Sequence, residues 1–203
     1  MARMTWIVLA VVYAAFVGWY TNWQGPLTQS EVEAAVERMA QDGSSEGVAR
    51  LRKFLESDTG DDFVMVNLID SPDKPKPAPG IGPDDTTEEV IGRYMAHMWP
   101  ELLKRACHPV MMGMAATDAL DVWGIEGAEH WSQAGLMRYR SRRDLIEIAG
   151  NPDFQGPHEF KIAAMTKTIA FPIDPWFQLG DPRLVLGLVF FGLASSVSLI
   201  ARR

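Results

Sequence analysis

Gln133-Ala-Gly-Leu-Met-Arg-Tyr139, then Arg140-Ser-Arg-Arg-Asp144, then Leu145-Ile-Glu-Ile-Ala149 changes its period within a few residues. Up to Tyr139 the side chains alternate, with Ala134, Leu136 and Arg138 on one face and Gly135, Met137 and Tyr139 on the other, the period of a β-strand. From Ser141 onward Leu145, Ile146, Ile148 and Ala149 fall at helical spacing. Ser141 and Asp144 supply an N-terminal cap, and Gly150-Asn151-Pro152 stops the helix. A strand that runs straight into a capped helix is half of an α+β unit, and the rest of the chain is read outward from it.

Upstream, Phe63-Val-Met-Val-Asn-Leu-Ile69 reads as a buried strand with one polar residue, Asn67, on the face of Phe63, Met65 and Ile69. The stretch from Asp70 to Asp85 holds five prolines and two glycines, so residues 59–85 comprise a strand and an extended linker that neither a helix nor a central strand can occupy. Thr86 to Cys107 then reads as a helix with Val90, Ile91, Tyr94, Met95, Met98 and Leu102 on its core face. Pro100 within it predicts a kink or a helix in two pieces. Pro109 to Ala115 and Leu120 to Gly124 are short strand candidates, Pro157 to Ala164 is a short helix, and Met165 to Phe171 is a last strand. The order β-α-β-β-α-β over residues 62–173 is the ferredoxin-like arrangement, an antiparallel sheet with two helices on one face.

Residues 28–58 form an amphipathic helical hairpin. Thr28-x-x-Glu31 and Ser30-x-x-Glu33 are overlapping capping boxes before one helix, and Gly43-Ser-Ser45 separates it from a second. Residues 4–21 and 184–201 are each long and apolar enough to cross a bilayer. Trp6, Trp19, Tyr20 and Trp23 are placed as interfacial aromatics on the first, and Arg183 and Arg202-Arg203 bracket the second. Arg3 before the first span and the closing arginine pair put both termini in the cytoplasm and the soluble domain outside, in a periplasmic or other extracytoplasmic space. Ala10, Ala14 and Gly18, and Gly192 and Ser196, stand at four-residue spacing, either a helix-packing stripe or the chance content of Ala- and Gly-rich segments.

The net charge of −7 excludes a nucleic-acid binder, which needs clustered cations. The single cysteine, Cys107, allows no internal disulfide. His97, His108, His130 and His158 are dispersed, with none of the pair spacings that place two metal ligands on one helical face. Neither a metal nor a cofactor is expected. His108 and His158 are the weak candidates for a proton carrier, and Asn67, Tyr94, Arg138 and Tyr139 are the candidate ligand-binding set, for a small anionic or aromatic molecule. Arg138, if buried, requires an anion, supplied either by a carboxylate of the same domain or by a ligand.

Leu136-Met-Arg-Tyr-Arg-Ser141, Leu145 to Ile148, Asn151-Pro-Asp-Phe154 and His158-x-x-Lys-Ile-Ala-Ala164 resemble the dimeric α+β barrel superfamily, in its small uncharacterised branch with an Arg-Tyr-Pro-Ser-like turn. The resemblance covers about residues 62–173. Arg140 stands where that branch has proline, and Lys161 is the nearest cation to the place where the branch often has arginine. The resemblance implies two domains joined sheet to sheet, with a cavity between sheet and helices in each. An apolar outer sheet face, for which Ala134, Leu136 and Met65 are available, would serve that pairing. The superfamily includes cofactor-independent monooxygenases, isomerases and binding proteins, so the fold selects no reaction. The expectation is a bilayer-anchored accessory or ligand-binding subunit, as a homodimer or in a larger membrane complex. The alternative is a membrane-tethered monooxygenase or isomerase acting on an apolar or aromatic molecule.

Overall fold

The computed structural model describes residues 2–41 and 43–202; Arg203, the last residue of the closing basic pair, lies outside them. In chain order the helices and strands are α1 (Ala2–Tyr20), α2 (Gln29–Ala40), α3 (Ser45–Glu56), β1 (Phe63–Asp70), α4 (Thr87–Lys104), β2 (His108–Met114), β3 (Gln133–Tyr139), α5 (Arg142–Ala149), α6 (Gln155–Ala163), β4 (Lys167–Ile173) and α7 (Pro182–Ile200). The four strands make one antiparallel sheet in the order β2-β3-β1-β4. The protein is therefore α+β, with an apolar helix at each end long enough to cross a membrane.

Register divides the sheet residues between two faces. Phe63 pairs with Tyr139 and Met65 with Met137. These four turn toward α4 and α5, where Phe63, Tyr139, Met98, Leu102, Cys107 and Ile148 form the main core. Val64 pairs with Arg138, so Arg138 faces the other way. Both edge strands carry a proline, Pro109 in β2 and Pro172 in β4, the positions in a sheet where a missing N–H is tolerated. The register of β2 against β3 slips between Pro109 and Met111, a bulge at Val110.

Two capping boxes, Thr28 with Glu31 and Thr86 with Glu89, start α2 and α4. The α2–α3 hairpin buries Val32, Ala35, Val36 and Leu55 against Ile146 of α5, and Phe54 meets Phe63 edge-on at 5.2 Å. It thus extends the helical layer over the core. Glu31 also binds Arg143 of α5 at 2.6 Å.

Two expectations need correction and two more are narrowed. Of the two outcomes expected at Pro100, the helix in two pieces is not found, because α4 runs unbroken to Lys104. Residues 120–124 are not a strand; they lie in the long β2–β3 loop, with Leu120 and Trp123 94% and 93% exposed. Met65 belongs to the helix-side core rather than to the outer face. The close approach of α1 to α7 does not rest on Gly18 or Gly192, beside which a methyl group would meet open space; Tyr13 seats its ring on Gly187, and Ala194 is buried.

Helices α1 and α7 run antiparallel. Trp6 donates to the Ser198 hydroxyl at 2.9 Å and packs edge-on against Phe191, while near the other end the Tyr13 hydroxyl donates to the Arg183 carbonyl at 2.9 Å. The pair leaves the domain from the end of the sheet where β1 begins. The loop after α1 is pressed there against Gly60, at φ +86° in the left-handed region, where an added methyl group would come within 2.7 Å of the Gly25 backbone.

Gly60→Ala should therefore lower unfolding free energy by about 2 kcal/mol or more, read from denaturant titration in detergent. Acid should also loosen the α2–α5 contact. The Arg143 guanidinium holds the Glu31 carboxyl at about 2, below its usual 4.5, so its contribution is complete above pH 4.5 and is lost as pH falls toward 2. Glu31→Gln should flatten that part of the stability–pH curve.

Candidate functional site

Arg138 is 1% exposed, and its partners come from the end of α1, the start of β1 and the end of α4. Its Nε donates to Asp62 Oδ2 at 2.7 Å, one Nη to the Ala106 carbonyl at 2.8 Å, and the other to the Tyr20 carbonyl at 3.0 Å. The Tyr20 ring lies over the guanidinium, with its centroid 3.7 Å from Cζ. Ala106, the acceptor at the end of α4, holds a left-handed backbone (φ 56°). Asp62 Oδ2 accepts again from Arg183 at 3.0 Å, and Arg183 also grips Asp181, the residue that caps α7. One carboxylate thus ties the end of α1, the sheet and the start of α7 together.

The neighbouring arginines repeat the pattern. Arg140 donates to the Trp19 carbonyl while paired with Asp144. Arg143 donates to the Gly25 and Pro26 carbonyls. Arg142 donates to the Phe54 carbonyl and to Ser57. The last carbonyls of a helix lack partners within it, and here guanidinium groups supply them to α1.

His108, opposite Arg138 on β2, is held at both ring nitrogens: Nδ1 lies 2.9 Å from the Pro109 carbonyl and Nε2 2.6 Å from the Tyr20 hydroxyl. A carbonyl can only accept, so Nδ1 carries the proton and Nε2 accepts from the tyrosine. As a proton carrier His108 has no free nitrogen to offer a substrate.

The expected ligand-binding set is divided by the sheet. Arg138 lies on the outer face, while Asn67, Tyr94 and Tyr139 lie on the helix side, because neighbours in a strand point opposite ways. Asn67 spends its amide on the Met65 and Gly135 carbonyls. Tyr139 stacks on Phe63 at 5.3 Å, and burial pushes its phenol up; burial raises that of Tyr94 as well. The helix side also holds a group absent from that set. Lys161 of α6 places its amine 5.9 Å from the Tyr94 ring, makes no ion pair among the described residues, and is pushed down by burial. His158, one turn before it, is pushed down by burial and by the Lys161 charge. A lysine at helical spacing from a histidine is the sequence signal for this group, but a surface helix carries the same pattern.

An open groove of about 370 Å³ runs between the proline-rich linker and α6, lined by Lys76, Pro77, Pro79, His158, Glu159 and Ile162 among others. A niche of about 30 Å³ beside Thr21, Asp62, Arg138 and Arg183 has room for a single water. Cys107 is buried at the core, and burial raises its thiol to about 11, well away from the reactive thiolate.

No family model and no curated protein matches the chain. Among solved structures it is similar to RPA0582, a protein of unknown function from Rhodopseudomonas palustris, at 20% identity over 68% of this chain and 97% of that one, with a TM-score of 0.52. The methylated form of RPA0582 gives 21% identity, 69% and 96% coverage, and a TM-score of 0.53. This likeness speaks to the fold.

Breaking a buried ion pair from one side costs about 3–5 kcal/mol. Asp62 keeps Arg183 when Arg138 is removed, so Arg138→Met should cost about 3 kcal/mol, or a melting temperature lower by roughly 10 °C. Arg138→Lys, with a single ammonium for three divergent acceptors, should recover less than half of the loss in the same thermal melt.

Proposed function

We propose that this chain is a bilayer-anchored domain of ferredoxin-like topology and dimeric α+β barrel type that acts as a non-catalytic accessory or ligand-binding subunit of a membrane protein complex. The observation that carries the reading is the commitment of Arg138. The most deeply buried charge in the domain joins the sheet to the apolar helix pair, with its anion supplied by Asp62. The sheet order β2-β3-β1-β4, with α4 and α5 on one face, supports the topology. Helices of 19 residues rise roughly 28 Å, close to the thickness of a hydrocarbon core. Their antiparallel pairing supports a topology with both termini on one side of the membrane and the domain on the other. The positive-inside rule assigns the termini to the cytoplasm.

The outer sheet face supports pairing with a second copy or another subunit. Val66, Leu68 and Leu136 are half-buried there, and Met111 and Phe171 are 58% and 45% exposed, with no layer of helices above them among the described residues. A sheet open on an apolar face gains by covering it.

The second reading, a membrane-tethered monooxygenase or isomerase of an apolar or aromatic molecule, draws support from Tyr94, His158 and Lys161 on the helix side. Purification from native membranes in mild detergent, with mass spectrometry of everything retained, separates the two. The expected result is a stoichiometric second copy or partner polypeptide, lost in Phe171→Glu, with any bound small molecule left chemically unchanged. A small molecule that is retained by the wild type, converted to a product by it, and released by Lys161→Met would reverse the order.

A further inference from the structure

Pro175-Trp-Phe-Gln-Leu-Gly180, between β4 and α7, contains no charge and exposes its three large apolar side chains: Trp176 is 95% exposed, Phe177 70% and Leu179 74%. The Trp176 and Phe177 rings sit together, with centroids 6.0 Å apart. The segment is fixed at both ends. Asp174 faces Arg142 at 3.8 Å. At the other end the Asp181 N–H donates to the Gln178 carbonyl at 3.3 Å, and Asp181 is bound to Arg183, which reaches Asp62. The anchors hold the segment across the end of the sheet from which α1 and α7 depart, since Ile173 pairs with Val64, two residues from Asp62. Trp23, 72% exposed, is at the same end, held by its indole N–H to the Gly18 carbonyl of α1.

We infer that residues 175–180, together with Trp23, form a separate contact with the bilayer, in which Trp176, Phe177 and Leu179 lie in the headgroup and upper acyl region around the point where α1 and α7 enter. The inference rests on the reading that α1 and α7 cross a membrane, and adds a surface to it. Three features select lipid. Leu179 is three residues before the first residue of α7, so the apolar segment stands directly beside the start of the span. The acids at both ends of the segment are matched by Arg142 and Arg183, which leaves a neutral stretch. Tryptophan with its ring apolar and its N–H polar suits the interface more than the acyl core. Exposed Trp123 serves as the contrast, because it sits in the β2–β3 loop at the opposite end of the sheet, beyond Met114 and Gln133. The junction ties the domain to the helix pair but leaves the tilt of the whole unit in the bilayer open. A third apolar contact beside them fixes its tilt.

The test uses the full chain in phosphatidylcholine vesicles, with an environment-sensitive fluorophore placed on Phe177→Cys, Trp123→Cys or Leu193→Cys. Buried Cys107 stays unlabelled near neutral pH. Quenching is compared between lipids that carry a nitroxide in the headgroup and lipids that carry it deep in the acyl chain. The expected result is quenching of the Phe177→Cys probe at least threefold stronger by the headgroup nitroxide than by the deep one. Trp123→Cys should be affected by neither, and Leu193→Cys chiefly by the deep nitroxide. A Phe177→Cys probe untouched by both lipids, beside a normally quenched Leu193→Cys, would overturn the inference and leave the spans standing. An unquenched Leu193→Cys would overturn both. Trp176→Cys repeats the measurement one residue away.

Discussion

A guanidinium cannot be taken out of water without several hydrogen bonds in return, and the junction of this protein is arranged around that constraint. Arg138 sits at the end of the sheet where β1 begins, on the face away from the helices, and its three acceptors come from three distant parts of the chain: Asp62 before β1, Ala106 after α4 and Tyr20 at the end of α1. Each acceptor has a need of its own. Tyr20 is a helix-terminal carbonyl, Asp62 is a carboxylate that Arg183 also requires, and Ala106 is a buried residue in a left-handed turn. Satisfying one guanidinium therefore fixes the exit of α1, the start of β1 and the turn into β2 together. Tyr20, closing over the top, binds His108 and completes the seal.

Much of the soluble fold was legible because it rests on local signals. The alternation of β3, the caps of α2 and α5, and the prolines of residues 70–85 each determine a few residues without help from far away. Pro100 does not divide α4, because a helix packed on a core through Val90, Met98 and Leu102 can bear the loss of one hydrogen bond. Leu120 to Gly124 misled because apolar residues bounded by turns look the same whether they are buried in a sheet or exposed in a loop.

The candidate site was legible only in pieces. The period of β3 alone places Arg138 and Tyr139 on opposite faces, so a single constellation of the two was excluded by the same alternation that identified the strand. The partner of Arg138 was not legible. Asp62 lies 76 residues upstream, one of many acids in a chain of net charge −7, and nothing local selects it. Lys161 went unselected for the opposite reason: a surface helix also carries lysines, and only its seat against Tyr94, out of reach of any carboxylate among the described residues, sets it apart. The outer and helix sides of the sheet thus carry different chemistry, one closed by ion pairs at the junction, the other holding weakly paired titratable groups.

The antiparallel pairing of α1 with α7 also sets an order of events during synthesis. Trp6 finds Ser198, and Asp62 finds Arg183, only across 192 and 121 residues of chain. At ribosomal speed α1 is complete roughly ten to thirty seconds before α7 follows. For that interval α1 waits without the helix it packs against, and Asp62 has Arg138 but not Arg183. β4, one edge of the sheet, also arrives late, directly before α7. A nascent chain therefore carries its apolar first helix and an unclosed sheet at the same time. An insertion machinery or chaperone that shields α1 until α7 emerges would be protecting the protein at its most aggregation-prone stage, and a truncation within α7 would extend that stage indefinitely.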